Sequence, residues 1–262
     1  MEIGEKGIAR LSIIPVRAEA SDKSELVTQL LFGDHYTITG ISENKKWIRI
    51  QIYFDQYEGW IDAIQHHQIS EDYFNQINNS DYKICTETAS TILFNKHQTN
   101  IVMGSILPIA TNEIFKVEEQ LAFNGEAKSL SSKRDFEFLK QTAKKYLNAP
   151  YLWGGRSPFG IDCSGFTQIV FRICGYLLPR DASQQVKKGE KVSIEDRKEG
   201  DLVFFNNDDG KIVHVGILLE KDEIIHASGK VRIDTLNDKG ILNNESQRIT
   251  HKLHSIRRLI KQ

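Results

Sequence analysis

The chain is poor in cysteine, nearly free of net charge and without a long apolar run. Its three cysteines, Cys85, Cys163 and Cys174, are odd in number and widely spaced, which excludes a disulfide framework. No Cys-x-x-Cys pair or mixed cysteine–histidine cluster has zinc spacing. Reduced thiols are expected, with no metal and no cofactor. The adjacent His66 and His67 would point to opposite sides of an extended segment, so both are expected at the surface. Basic residues number 34 against 35 acidic ones, a formal charge of −1. Nothing in that balance calls for nucleic acid or an anionic membrane, so neither is expected as a partner. Within residues 1–20 the longest apolar stretch, 11–16, is broken by Ser12 and Pro15, too short for a leader or an anchor. A cytoplasmic location is the expectation, or export if a leader has been trimmed away.

What is present suits a packed protein of one to three domains: 262 residues, 40% hydrophobic and 26% charged. The first part reads as short strands between polar turns. Residues 36–41 are rich in β formers, and 47–52 alternate so that Ile48, Ile50 and Ile52 share a face. Gly59-Trp60-Ile61 closes this block, which has the texture of a small barrel spanning 1–66. A polar linker, 67–80, has room for one short helix. A second strand-rich block covers 81–130. Its Met103-Gly104-Ser105-Ile106-Leu107-Pro108-Ile109 resembles Phe32-Gly33-Asp34-His35-Tyr36-Thr37-Ile38 about 71 residues earlier. An aromatic strand follows each, around Trp47 and around Phe115, so two copies of one barrel are expected.

From 131 to 262 the pattern changes. Ser132 with Asp135 makes an N-terminal cap for a helix carrying Phe138, Leu139, Thr142, Ala143 and Tyr146. Pro150 ends that segment. A second helix follows Asp162, with Phe166, Ile169, Val170 and Ile173 on one face and Gly175 at its end. Strands then occupy 201–205, 211–219 and 223–227, the last two forming a hairpin. Helices followed by strands imply an α+β fold.

The chemistry centres on Cys163, placed where a loop becomes a helix. Free N–H groups and the positive dipole end would favour the thiolate, lowering the pKa as a sulfur nucleophile needs. A buried cysteine filling a helix–sheet gap would have the same address. His214 shares a strand face with Ile212 and Gly216, and His226 follows on the neighbouring strand. An imidazole facing Cys163 could take its proton, while His226 holds the far nitrogen of His214.

These residues carry a specific resemblance. Asp162-Cys163-Ser164-Gly165, His214-Val215-Gly216-Ile217 and Ile225-His226-Ala227-Ser228 resemble the cysteine and two histidine motifs of the NlpC/P60 family, in its order. Tyr151-Leu152-Trp153-Gly154-Gly155, Pro179-Arg180-Asp181, Ser183-Gln184-Gln185 and Gly200-Asp201-Leu202-Val203-Phe204-Phe205 match as well. In the front blocks, Pro15-Val16-Arg17, residues 25–33 and Tyr57-Glu58-Gly59-Trp60-Ile61 are similar to bacterial SH3-like domains. The resemblance implies a papain-like catalytic domain behind two SH3-like β-barrels, as in the dipeptidyl-peptidase VI group. Its implied reaction is hydrolysis of the γ-D-Glu to L-diamino acid bond in murein peptides with a free N-terminal L-Ala, in cell-wall recycling, by a monomer.

By the same resemblance Cys163 is the nucleophile, His214 the base, His226 its orienting partner and Tyr151 an oxyanion donor. Asp162 and Ser164 match positions that bind the substrate's amino end, although Asp162 could be only a helix cap. Asp181 would face the diamino acid's second amine or serve as a turn former. Glu25 and Tyr57 would close the pocket, or be an ordinary surface pair. Cys85 and Cys174 are expected to pack in cores, and Trp153 either walls the cleft or is a core aromatic. A wall-bound hydrolase, an acyl transferase with the same triad, or a non-catalytic wall-binding protein are the rival readings.

Overall fold

The structure, a computed structural model, describes residues 1–110, 115–116 and 121–260. The chain divides into two compact units: Met1–Ser132 with Trp153–Pro158, and Lys133–Leu152 with Phe159–Gln262. Among the described residues no helix is long and apolar enough to cross a membrane.

In the first unit a seven-stranded sheet runs Leu26–Leu31, Ile13–Arg17, Glu58–Asp62, Trp47–Ile52, His35–Ile41, Lys6–Ile8, Gln68–Ile69. The alternation read from 47–52 is observed: Ile48, Ile50 and Ile52 are fully buried while Arg49 is exposed. Each such side chain contributes about 1.5–3 kcal/mol by leaving water. With Ile14, Val16, Leu30, Tyr36, Ile38 and Ile61 they form one core. The linker's polar run becomes the helix Glu71–Asn79, whose first turn Ser70 caps through Tyr73 N–H. His66 departs from its expected surface position. Its side chain is nearly buried, with Nδ1 at 3.0 Å from the Tyr36 hydroxyl and Nε2 at 2.7 Å from Glu5.

The second block forms a four-stranded and a three-stranded sheet around Phe32, Cys85, Ile92, Ile101, Leu107, Ile109 and Leu121. At Phe115 the backbone forms the short strand Phe115–Lys116; residues 111–114 and 117–120 lie outside the described ones. The internal repeat has a structural counterpart in two matching turns. Gly33 and Gly104 both have positive φ, +86° and +90°. The next residue's side chain then accepts from the N–H three positions back, Asp34 from Leu31 at 3.0 Å and Ser105 from Val102 at 3.3 Å. The turns also meet, since Ile106 N–H donates to the Phe32 carbonyl at 2.8 Å.

Residues Trp153–Pro158 group with this unit for a local reason. Buried Arg156 pairs with Asp34 at 3.0 Å and donates to the Gln29 carbonyl at 2.7 Å. Gly154, at φ +75°, sits where a Cβ would lie 2.3 Å from the Leu26 carbonyl oxygen, so the close approach needs glycine.

The second unit is α+β. Its first helix is Phe136–Lys144, and the cap is Asp135 itself, accepting from Phe138 N–H at 3.0 Å. The Ser132 cap expected from the sequence is therefore corrected: Asp135 is the residue in extended conformation ahead of the first turn, so its own carboxylate takes the orphan donor. The second helix, Cys163–Ile173, is capped by Asp162 and followed by Gly175 at φ +85°. The expected strands are found as Leu202–Asn206, Ile212–Glu220 and Glu223–Ser228, and three more follow that the sequence reading did not name: Lys230–Leu236, Gly240–Asn243 and Arg248–Arg258. Gly240–Asn243 pairs with Arg248–Arg258, which pairs with Leu202–Asn206, so six antiparallel strands close on themselves. Val203, Phe205, Leu218, Ile224, Leu236, Ile241 and Ile256 share a core cluster. The cysteine helix packs on Ile212–Glu220 and Glu223–Ser228.

Gly33 is the sharpest test of the paired turns. A Cβ there would lie 2.0 Å from the Ile106 carbonyl oxygen, in a left-handed backbone. Gly33→Ala should lower stability by about 2 kcal/mol or more in urea denaturation. Gly4→Ala, left-handed but with nothing within 4 Å, should cost less; equal losses would contradict the paired-turn account.

Candidate active site

Asp162 determines how the cysteine helix begins. Its carboxylate accepts from Gly165 N–H at 2.6 Å, which places Cys163 at the first helical position. Buried Arg180 grips the same carboxylate through both terminal nitrogens, at 3.0 and 2.5 Å, and donates to the Ser164 hydroxyl at 2.9 Å. Ser164 also faces Asp162 at 3.3 Å. Much of Asp162's acceptor capacity is thus committed to the helix and to Arg180, the geometry of a cap and positioning group.

The sulfur lies against the strand that carries His214. Its hydrogen-bond donors are the backbone N–H groups of Ser164 and of Val215, the residue directly after His214. One expectation is corrected here. Burial pushes the Cys163 thiol up to about 12, and the Asp162 charge adds to this. The two N–H donors and Arg180 pull the other way and are outweighed. A helix N-terminus favours a thiolate, yet withdrawing the sulfur from water beside a carboxylate costs more. At rest Cys163 is a neutral thiol.

His214 is buried, as is His226, and the two come together. His214 Nε2 lies 2.9 Å from His226 Nδ1, with the rings nearly perpendicular at 88°. The strand register explains the contact, because His226 is the direct cross-strand partner of Gly216, two residues beyond His214. A Cβ on Gly216 would meet Ile224 at 2.8 Å and the His226 Cβ at 3.0 Å, so this position keeps the pair close by lacking a side chain.

Behind His226 stands a residue the sequence reading missed. His226 Nε2 is 3.1 Å from Asp234 Oδ2, and Asp234 is fully buried. Burial would raise this carboxyl, but hydrogen bonds from His226, Asn244 N–H and Arg232 hold it down at about 2. It is therefore a carboxylate, able only to accept. For neutral rings that sets the order of protons in the row. His226 must donate from Nε2, so its Nδ1 accepts; His214 must donate from Nε2, so its Nδ1 keeps a lone pair. The nitrogen left over, His214 Nδ1, is the one ring position in the row not bonded to another member of it. Burial and the neighbouring His251 and His226 push His214 well below its usual range, so it is neutral at rest.

A second missed residue is His251, on the strand Arg248–Arg258. Its ring stacks on His214 with centroids 4.0 Å apart and planes 25° from parallel. Asp234 could have been found by extending the hairpin across Gly229: that turn pairs Ile224 with Asp234 and His226 with Arg232, bringing Asp234 diagonally opposite His226. His251 sits in a polar run with no comparable signal.

The remaining candidates are placed as follows. Tyr151 is half-buried and close enough to Cys163 and Asp162 that burial, then repulsion from these two acids as they ionise, raises its phenol to about 12; it is a donor at neutral pH. Asp181 precedes the single turn Ala182–Gln185, and its N–H donates to the Gln184 side chain at 3.4 Å. Glu25 and Tyr57 belong to the first unit, where Glu25 accepts from the Trp153 indole at 2.5 Å. Trp153 is 60% exposed and so is no core residue, whereas Cys85 and Cys174 are fully buried as expected.

The chain is similar to known proteins along most of its length. The NlpC/P60 family profile matches residues 148–249, and that of the bacterial dipeptidyl-peptidase Sh3 domain matches 16–65. A gamma-D-glutamyl-L-lysine dipeptidyl-peptidase of Bacillus subtilis (strain 168) is 31% identical over 232 residues, covering 80% of this chain and 76% of the relative. One from Bacillus cereus is 27% identical over 252 residues, 85% and 74% of the two chains. The crystal structure of an NlpC/P60 family protein from Bacillus cereus superposes with a TM-score of 0.82 over 97% of this chain and 99% of that one, at 21% identity, and so shares the fold.

Asp234→Asn tests the proton order. An amide must turn its NH₂ either toward His226 Nε2 or toward the Asn244 N–H, and either choice sets donor against donor. Turnover should fall by about 10²-fold or more with little change in KM; wild-type kcat in this variant would contradict the assignment.

Proposed function

The chain belongs to the NlpC/P60 family, and on that footing we propose that it hydrolyses the γ-D-Glu to L-diamino acid bond of murein peptides that begin with a free L-Ala. The observation that carries this reading is the row His214–His226–Asp234, on a strand whose next residue after His214, Val215, has its backbone at the Cys163 sulfur. Supporting the choice of bond is a relative, similar through both units, whose name specifies γ-D-glutamyl-L-lysine and release of a dipeptide.

In this reading His214 Nδ1 takes the Cys163 proton as sulfur attacks the scissile carbonyl, so charge separates only as the S–C bond forms. His226, backed by Asp234, steadies the imidazolium that results. The Cys163 N–H at the helix start and the Tyr151 hydroxyl are the donors offered to the oxyanion. Collapse breaks the C–N bond, and the proton on His214 goes to the leaving amine. Water, deprotonated by the same nitrogen, then releases the acid from the thioester. Asp162, Ser164 and Asp181 are the groups proposed to meet the substrate's two amines, and the work assigned is recycling of wall peptides in the cytoplasm by a monomer.

Incubation with L-Ala-γ-D-Glu-L-Lys, followed by mass spectrometry, should yield the L-Ala-D-Glu dipeptide and free lysine. Cys163→Ala should lose about 10⁵-fold or more of this activity with an unchanged thermal melt. The N-acetylated tripeptide should not be cut. Cleavage by Cys163→Ala would overturn the nucleophile, and equal turnover of the acetylated peptide would overturn the free-amine requirement.

A further inference from the structure

The mechanism uses two of three imidazoles that meet in the second unit. One ring nitrogen each from His214, His226 and His251 can be chosen so that all lie within 4.8 Å of one another. We infer that these three histidines form a capture site for a divalent, imidazole-seeking transition ion such as Zn²⁺, and that occupation switches the peptidase off. The binding half of this inference rests on the cluster alone; the inhibitory half rests on His214 being the base, as proposed above.

The donor set suits such an ion. Neutral imidazole is a preferred ligand of zinc, and a tetrahedral site can be built from three protein ligands plus one position left to water. Zinc–nitrogen bonds of about 2.0–2.1 Å place ligand nitrogens roughly 3.4 Å apart. His214 Nε2 and His226 Nδ1, at 2.9 Å, would open by about half an ångström to admit an ion in place of the shared proton. His251 has the most freedom to adjust, being only half-buried. Its Nδ1 is 2.9 Å from the Thr250 hydroxyl, which leaves Nε2 for the ion. The ring now stacks beside His214, so aiming that lone pair at the ion requires the His251 side chain to turn, at the expense of its contact with Thr250. Behind the cluster, the Asp234 carboxylate already holds the far nitrogen of His226, the arrangement that orients and strengthens a zinc-bound histidine.

The consequence for catalysis follows from the proton positions. His226 Nδ1 already presents a lone pair, and its Nε2–H stays on Asp234. His214 Nε2 carries a proton, which must leave before the ion can bind. That proton is taken up by Nδ1 through solvent, so none is lost overall. His214 is then protonated on the side of the thiol and can no longer accept from Cys163. Capture of the ion reverses the base rather than blocking the nucleophile.

Titration calorimetry with zinc chloride on the full Cys163→Ala chain separates this site from an ordinary thiol–zinc complex. One bound ion per chain is expected there, and adding His251→Phe, which keeps a stacking ring but removes a ligand, should weaken it by about tenfold or more. His251→Gln serves as a second variant, with thermal melts to show that each is folded. Zinc-edge X-ray absorption on the Cys163→Ala chain should count three imidazole nitrogens without recourse to any histidine variant. Zinc should also stop turnover by the wild-type enzyme, reversibly with EDTA. Binding that vanishes in Cys163→Ala, is indifferent to His251, or shows fewer than three imidazoles overturns the site. Full occupancy with undiminished turnover overturns the inhibition, whereas a chain with no peptidase activity at all would sink the proposed function and leave the binding test intact.

Discussion

A single hydrogen bond, His214 Nε2 to His226 Nδ1 at 2.9 Å, determines whether this site can work as a base. A bond between two imidazoles has no direction of its own, because either ring can donate. Direction is imposed from behind, by a carboxylate that burial alone would neutralise and that its own hydrogen-bond donors keep ionised. The closed barrel is what makes this possible. Glu223–Ser228 and Lys230–Leu236 pair in register, with Asp234 beneath His226, and Asn244, just past the Gly240–Asn243 strand, supplies a backbone donor to that carboxylate. Gly216 lets the two histidine strands lie close.

Cys163 obeys a different constraint. Cys163 stands at a helix N-terminus with two backbone N–H groups on its sulfur, and is still held neutral by burial and by Asp162. The same carboxylate that starts the helix therefore opposes ionisation of the residue it positions, and Arg180 offsets part of that opposition. A neutral thiol beside a neutral imidazole avoids placing two unsolvated charges in a closed resting site. In the proposed reaction, charge separation is deferred to the moment of attack, when the imidazolium has His226 and Asp234 behind it and the oxyanion has its donors.

Much of this was legible in the sequence, for reasons that differ by element. The alternating isoleucines of 47–52 and the apolar face of the cysteine helix are strong periodic signals, and both segments formed as read. Cys163 and the two histidines came from motifs with a fixed order, and the structure brings His214 and His226 together. The proton anchor did not, because Asp234 acts through strand pairing that only the hairpin register reveals. His66 was misread as exposed since its burial depends on Tyr36 and Glu5, roughly 30 and 60 residues away. The thiol's pKa was misjudged because a sequence displays the helix start but not the depth at which the sulfur lies. The segment Trp153–Pro158 reads as part of the catalytic motif yet packs with the N-terminal residues, through an Arg156–Asp34 pair that no local pattern announces.

The direction of the imidazole–imidazole bond can be observed by ¹⁵N chemical shifts of the histidine rings in the Cys163→Ala chain at neutral pH. The account requires His214 to carry its proton on Nε2 and to show an unprotonated Nδ1, with His226 protonated on Nε2. A His214 ring found protonated on Nδ1 would mean that Asp234 does not orient the row, and the assignment of His214 as general base would fall with it.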